Sequence, residues 1–312
     1  MGCGMWGRNI ARNLAGLGAL AGVGDLDQSA AQAFADEFSA PVMGVDDAIA
    51  NPDIDGLAIV TSAPSHAMLA VAALNAGKAV YIEKPLALTV DDAEKIAAAA
   101  SANARPVMVG HLIRHHAAFQ RLLKEVQSGA IGKLRHIRAS RIAPGRIRNT
   151  ESVLFDLCPH DLALIAALTG QEEPAKVQCH GFSHVTTGVH DSVTAQLNFP
   201  SGITASVQAN WLNPVKIHNL TVIGDNGAFV FDDTRDWAEK LTRFAFAVTT
   251  DGDAITLDRD DGTAIAVDPA EPLKDEMRNF IAATRGQAAP LTDITEALYV
   301  QRIMARMEAD LN

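Results

Sequence analysis

The 312-residue sequence is poor in cysteine: Cys3, Cys158 and Cys179 lie far apart and form no C-x-x-C pair. A disulfide framework and a cysteine-built zinc site are excluded on that count. No stretch is apolar enough to span a bilayer, since the longest apolar helical segments are alanine-rich and broken by Asp, Glu, Lys or Asn. No basic segment followed by an apolar core opens the sequence, so a cytoplasmic setting is the default expectation. Positive charge is in deficit as well. The net charge of −11 argues against non-specific binding to nucleic acid. Internal repeats and low-complexity linkers are missing, which leaves closely packed domains rather than an array.

What is present fits a globular chain long enough for two domains, with 48% apolar and 20% charged residues. Up to about residue 109, short apolar runs alternate with helical segments, as in a parallel sheet covered by helices. ALAGVGD (19–25), PVMGV (41–45), GLAIVTSAP (56–64), KAVYIEKP (78–85) and RPVMVG (105–110) read as strands. QSAAQAFADEF, SHAMLAVAALNAG and TVDDAEKIAAAASANA read as helices, the second stopped by Gly77 and the third capped by Thr89. After His111 the pattern changes. An amphipathic helix (AAFQRLLKEVQSG) leads into two hairpins, DSVTAQLNF-PSG-ITASVQANWL and HNLTVIG-DNG-AFVFDD, and TDITEALYVQRIMARMEADLN closes the chain as a helix. The expected division is 1–109, a doubly wound dinucleotide-binding domain, and 110–312, an α+β domain with a large, mostly antiparallel sheet.

The chain opens MGCGMWGRN. Gly2, Gly4 and Gly7, with Met5 and Trp6 between them, have the G-x-G-x-x-G spacing that joins a strand to a helix and cradles a dinucleotide pyrophosphate. A flexible glycine-rich start is the alternative. RNIARNLAGLG continues as a helix that would present its positive end to phosphate. Asp25, at the end of the next expected strand, suits ribose hydroxyls and repels a 2′-phosphate, which favours NAD over NADP; Asp27 is the competing acid. Only Met1 precedes Gly2, so the first strand is expected to be truncated, with an upstream translation start as its explanation. For the chain as written, the expectation is marginal folding and weak NAD binding.

YIEKP (81–85) places Lys84 at the C-terminal edge of a parallel strand, where a nicotinamide would lie; a strand-end salt bridge between Glu83 and Lys84 is the plainer alternative. Taken with the T-x-x-P-x-H turn (Thr61, Pro64, His66) and the A-G-K before the strand, this stretch resembles the Gfo/Idh/MocA family of NAD(P)-dependent oxidoreductases. That family includes glucose–fructose oxidoreductases, inositol dehydrogenases and nucleotide-sugar dehydrogenases. The likeness continues through VMVGHLIRHHAAF, SGAIGKL, FDLCPHDLALI and VIGDNGAFVFDD. It implies a Rossmann domain followed by an α+β substrate domain, with Lys84 contacting substrate and cofactor. It also implies that Thr61, Pro64, His66, Glu83 and His111 take part in cofactor binding, and that copies of the chain assemble as a homodimer or homotetramer.

FDLCPHDLALIAALTG (155–170) resembles the family's D-x-G-x-H segment, with Asp156 and His160 at the functional positions and Cys158 in place of glycine. Pro159 is tolerated near a helix start, so His160 is expected in the first turn, where the helix dipole would keep the imidazole neutral and ready to take a hydroxyl proton. A capping aspartate with a packed histidine is the alternative. His111 and His115 are four apart, yet carboxylates at matching spacing are missing, so no metal is expected; His111 and Arg114 read instead as cofactor or substrate contacts. Arg135, Arg138, Arg141, Arg146 and Arg148 form a basic island that either faces solvent or receives an anion. Arg146 and Trp211, with Lys216 nearby, look like the branch that oxidises UDP-linked N-acetylhexosamines or their uronates at C3, a solvated surface hairpin being the alternative. The expected activity is NAD-dependent oxidation of a sugar or nucleotide-sugar hydroxyl. An inositol or free-sugar dehydrogenase and a non-catalytic NAD-binding sensor are the rival readings.

Overall fold

The computed structural model describes residues 1–145 and 147–311. In chain order the elements are α1 (Met5–Gly16), α2 (Gln28–Phe38), α3 (Val45–Ala50), β1 (Gly56–Ile59), α4 (His66–Asn75), β2 (Ala79–Ile82), α5 (Val90–Asn103), β3 (Val107–Val109) and α6 (Ala117–Gln127). There follow β4 (Leu134–Pro144), α7 (Val153–Thr169), β5 (Lys176–Phe182), β6 (Ser192–Asn198), β7 (Thr204–Asn210), β8 (Leu212–Gly224) and β9 (Gly227–Asp232). Strands β10 (Leu241–Asp251), β11 (Ala254–Arg259) and β12 (Thr263–Ala264) precede α8 (Pro272–Thr284) and α9 (Ile294–Leu311). The chain divides into two compact units, 1–115 with 271–302 and 116–270 with 303–312.

In the first unit β1, β2 and β3 form a parallel sheet in that order, in register from Gly56↔Ala79 and Val80↔Val107. Every residue of β2 is buried, as expected of a central parallel strand covered on both faces. The helices form for local reasons. On α1, Gly7, Ile10, Ala11 and Leu14 recur at helical spacing and make its buried face. Asp27 caps α2 through the amides of Ser29 and Ala30, and Thr89 caps α5 through that of Asp92. Gly77, at φ +76°, follows α4 and lets the Lys78 amide reach back to the Ala73 carbonyl.

Two expectations change here. The runs 19–25 and 41–45 do not become strands among the described residues; they meet at a single parallel bridge, Val23↔Val42. Gly22 and Gly24 flank the bridge and lack the side chains whose packing and stiffness favour a regular strand. The boundary also moves: residues 271–302 return to the first unit, because Met277 and Phe280 of α8 pack with Ile10, Tyr81 and Met108. Thr292 closes the outer edge of β3, exchanging hydrogen bonds of 2.9 and 2.6 Å with the Val109 backbone. Beside β1, the Met1 amine donates to the Ala58 carbonyl, the Val60 amide to that of Met1, and the Gly2 amide to that of Gly24, each at 2.8 Å. A cavity of about 100 Å³ adjoins them, lined by Gly22, Gly24, Gly56 and Ala58 among others.

The second unit is built on a nine-stranded sheet in the order β11-β10-β9-β8-β4-β7-β6-β5, with β12 beside β10. Among the described residues of this unit, β4–β7 is the one parallel pair. Both expected hairpins form, β6–β7 around P-S-G and β8–β9 around D-N-G. Period-two alternation puts Val193, Ala195, Leu197, Ala205, Val207 and Ala209 on the buried face, which α7 covers, and Thr194, Gln196 and Gln208 on the other.

Candidate functional site

In the first unit the three glycines have three different reasons. A Cβ at Gly2, whose φ is +99°, would lie 2.5 Å from the Val60 carbonyl, so the loop turns tightly there. A Cβ at Gly7 would overlap the Gly2 carbonyl oxygen, so the helix can approach the loop only without a side chain. At Gly4 a Cβ would meet nothing within 4 Å; the free space lies at the N-terminus of α1, whose N-cap carries no side-chain hydrogen bond. Tight turn, open approach and close helix packing are what a pyrophosphate loop requires in that order. The residues present therefore fit a dinucleotide, whose phosphates would meet the first amides of α1. Met5 and Trp6, 80% and 38% exposed, flank that opening. Asp27 is occupied as a helix cap, whereas Asp25 stands at the loop and accepts the Cys3 amide at 2.6 Å and the Asp27 amide at 2.9 Å.

The other end of the sheet's carboxyl edge is assembled from side chains that lock the backbone. His66 is 1% exposed, with Nδ1 2.9 Å from the Pro85 carbonyl and Nε2 3.0 Å from that of Thr61; burial lowers its pKa. It thus ties the Thr61 turn, where the Thr61 and Ser65 hydroxyls are 2.7 Å apart and Pro64 sits in a single 3-10 turn, to the E-K-P segment. The Lys84–Pro85 peptide is cis and Lys84 is half-buried. Glu83 is buried and accepts hydrogen bonds from the Trp6 indole, from the Tyr81 hydroxyl at 2.9 Å and from the Lys84 amide at 3.1 Å. One carboxylate therefore joins the glycine loop to the lysine.

His111 and Arg114 are buried, and the Arg114 guanidinium forks onto Glu296 of α9 at 3.0–3.1 Å. His111 Nδ1 lies 3.8 Å from the same carboxylate. Arg114, expected to face substrate, is instead fastened inside the first unit. Burial and the adjacent Arg114 push His115 down to about 4, so it is neutral at physiological pH. Among the described residues no group of three or more His, Cys, Asp or Glu side chains is arranged to hold a metal ion.

The second unit carries Asp156 and His160 on one helix, four residues apart and hence on one face. The expected position of His160 is corrected. Helix α7 starts at Val153, Pro159 lies inside it, and His160 falls about two turns in. Asp156, not His160, occupies the first turn, so the helix dipole favours the carboxylate and gives no reason for a neutral imidazole. The proline is accommodated where α7 is buried against the sheet rather than at its end. Asp156 accepts from Arg148 at 2.9 Å and from the Trp211 indole at 3.1 Å. Trp211 is 3% exposed, with the Gly145 backbone against its ring, so it orients Asp156 instead of offering a stacking face. Most of the basic island is likewise absorbed by partners: Arg135 by Asp225, Arg138 by Thr221, Arg141 by the buried Asp161 and Arg148 by Glu151 and Asp156. Arg146 lies outside the described residues.

Sequence reasoning missed Glu276, Glu296 and Asp161, all buried acids with a defined partner. A signal was available for the first: Glu276 stands on the apolar stripe of α8 with Met277, Phe280 and Ala283.

Residues 1–111 match a family model described as an oxidoreductase family with an NAD-binding Rossmann fold, and residues 119–230 match the GFO/IDH/MocA C-terminal domain. UDP-N-acetylglucosamine 3-dehydrogenase of Acidithiobacillus ferrooxidans is 32% identical over 211 residues, which is 67% of this chain and 65% of that relative. The match thus spans a little under two thirds of that relative. Inositol 2-dehydrogenase of Acidothermus cellulolyticus is 29% identical over 239 residues, 73% of this chain and 70% of its own. A solved structure of the Acidithiobacillus ferrooxidans UDP-N-acetylglucosamine 3-dehydrogenase superposes with a TM-score of 0.87 at 25% identity, covering 99% of this chain and 95% of that one.

Proposed function

The chain belongs to the Gfo/Idh/MocA family of NAD(P)-dependent oxidoreductases, and we propose that it oxidises a secondary hydroxyl of a sugar with NAD as the acceptor, a UDP-linked N-acetylhexosamine being the leading substrate. The observation that carries this reading is the division of labour among Gly2, Gly4 and Gly7, with open space only where a pyrophosphate would enter. Asp25 beside the loop favours ribose hydroxyls over a 2′-phosphate, hence NAD over NADP. The nucleotide-sugar assignment rests on the likeness to UDP-N-acetylglucosamine 3-dehydrogenase. The reaction breaks the carbinol C–H bond, its electron pair leaving as hydride, and the hydroxyl proton passes to the His160 imidazole. NAD, when bound, supplies the hydride acceptor. Asp156, oriented by Arg148 and Trp211, would align the hydroxyl, and the Lys84 ammonium would stabilise negative charge developing on its oxygen. Thr61, Pro64, His66 and His111 would shape the cofactor's surroundings. Assembly as a homodimer or homotetramer belongs to the same proposal.

The test is absorbance at the NADH band with NAD or NADP, offered UDP-N-acetylhexosamines, their uronates, free sugars and inositols. Turnover with a UDP-sugar, abolished in Lys84→Ala and His160→Ala, is the expected result. Absence of reduced cofactor with every substrate in a folded protein that still binds NAD would instead favour a sensor.

A further inference from the structure

The first unit contains a buried arrangement for which the dehydrogenase reading has no use so far. Tyr81, Glu83 and Glu276 lie 0%, 8% and 0% exposed, and the Tyr81 hydroxyl touches both carboxyl groups, Glu83 Oε1 at 2.9 Å and Glu276 Oε2 at 3.3 Å. A phenol has one proton. It can donate to one of these oxygens; the other contact is a hydrogen bond only if that carboxyl carries a proton and donates to the phenol oxygen.

The remaining partners decide which. Glu83 also faces the Trp6 indole N–H and the Lys84 amide, neither of which can accept, so three donors converge on it. Glu276 faces Tyr81 alone, and its Oε1 is buried with no hydrogen-bond partner. A carboxylate with three donors is satisfied, whereas a buried carboxylate with one donor and a bare oxygen is costly. We propose that Glu276 is a neutral acid at the end of a proton chain, Glu276–OH to Tyr81–OH to the Glu83 carboxylate, and that Tyr81 and Glu276 are positioning residues holding Glu83 as the anion between the glycine loop and Lys84.

The surroundings agree. Burial and the Glu83 charge push Glu276 well above the carboxylate range. Helix α8 packs against α1 and the turn Leu112–His115. The titratable groups on that turn are Arg114, forked onto Glu296, and His115, which is neutral near pH 7. On α1 the charged side chains are Arg8, paired with Glu37, and Arg12, bonded to Asn9 at the surface. On α8 itself Lys274 and Arg278 pair with Glu271 and Asp275 at the surface. Burial raises the Glu83 carboxyl above its ordinary range, and the Trp6 and Tyr81 hydrogen bonds and the Lys84 charge oppose that rise, which is what the chain supplies. Gly110 leaves room for the chain: a Cβ there would lie 2.7 Å from the Tyr81 oxygen and 2.8 Å from Glu83 Oε1.

Its consequence for catalysis rests on the role proposed above for Lys84, so the first measurement does not depend on turnover. Infrared difference spectra of the full-length protein, wild type minus Glu276→Gln, should show a protonated-carboxyl C=O band that moves on transfer to D2O and persists from about pH 5 to about pH 8. Absence of the band, with a carboxylate band lost instead, overturns the proposal whether or not the protein is a dehydrogenase. The second measurement is the pH profile of turnover. Glu276→Ala removes a donor from the chain, raises the Glu83 pKa and should move the acid limb upward by about half a unit to one unit. Glu276→Gln, which still donates an N–H to Tyr81, should restore it. An ionised Glu276 demands the opposite: both substitutions remove a negative charge and move the limb downward. A purely structural residue lowers the melting temperature and leaves the limb in place, which also overturns the proposal.

Discussion

Gly4 and Gly7, three residues apart in the same loop, should respond in opposite ways to one added methyl group. At Gly7 the new Cβ falls inside the radius of the Gly2 carbonyl oxygen, and ordinary contact at roughly 3.4 Å would require a displacement of more than about 1 Å. Neither side can give easily. The Gly2 amide is bonded to the Gly24 carbonyl, its α-carbon lies against Val60, and Gly7 is buried on the inner face of α1. Overpacking of this kind costs about 1–3 kcal/mol, and a backbone–backbone clash belongs at the upper end. For a domain of this size, that lowers the melting temperature by roughly 5–10 °C. Gly4→Ala meets nothing within 4 Å and loses only the difference between glycine and alanine at an N-cap, well under about 1 kcal/mol. Its methyl group instead occupies the space the pyrophosphate would enter, so NAD affinity should fall at least tenfold, or about 1.4 kcal/mol. Thermal unfolding followed by circular dichroism, with an NAD titration followed by Trp6 fluorescence, separates the two effects. If Gly4→Ala unfolds as early as Gly7→Ala, or binds NAD as tightly as the wild type, the steric assignment of the loop is wrong.

Further outcomes follow from particular contacts. Arg141→Leu strands the buried Asp161 without its bidentate partner and should destabilise the second unit by about 3–5 kcal/mol, read as a lowered urea midpoint. His115 sits near 4 when folded against about 6.5 unfolded, so the unfolded chain binds the extra proton. Stability is therefore complete above about pH 6.5 and falls as pH drops toward about 4, by at most about 3 kcal/mol, and His115→Leu should flatten that slope in urea titrations across the interval. Asp25→Ser removes the charge proposed to face the ribose and should raise the NADP-to-NAD preference, measured as the ratio of kcat/KM values; an unchanged ratio would remove Asp25 from cofactor discrimination.

The parts of this molecule legible in the sequence are those whose causes are local. Strands β6 to β9 announce themselves because alternation and the P-S-G and D-N-G turns lie within a dozen or so residues, and the caps Asp27 and Thr89 act on amides two or three residues away. The glycine loop is legible for the same reason. Pro159 shows the limit of a local rule. Its missing N–H makes an early helical position the sound expectation, yet α7 runs through it, because Leu154, Cys158, Leu162 and Ile165 gain more from burial against the sheet than one lost backbone bond removes. With His160 about two turns into α7, the helix dipole gives no reason for a neutral imidazole.

Long-range pairing was illegible for a different reason. The apolar stripe of α8 declares that Met277 and Phe280 will be buried, but not that Tyr81 and Met108, far earlier in the chain, will bury them. The same ambiguity governs polar side chains. Trp211 reads as a ligand contact and Arg148 as part of an island that either faces solvent or receives an anion; both donate to Asp156, which needs fixed donors if it is to align a hydroxyl. Arg114 looked outward for the same reason and is held by Glu296. In each case a residue expected to touch a ligand is spent on orienting or fastening another residue. The sequence signal that separates the two roles is an acid on an otherwise apolar helical stripe, as at Glu276, since a buried carboxyl must find a proton or a donor and so marks where a polar network will end.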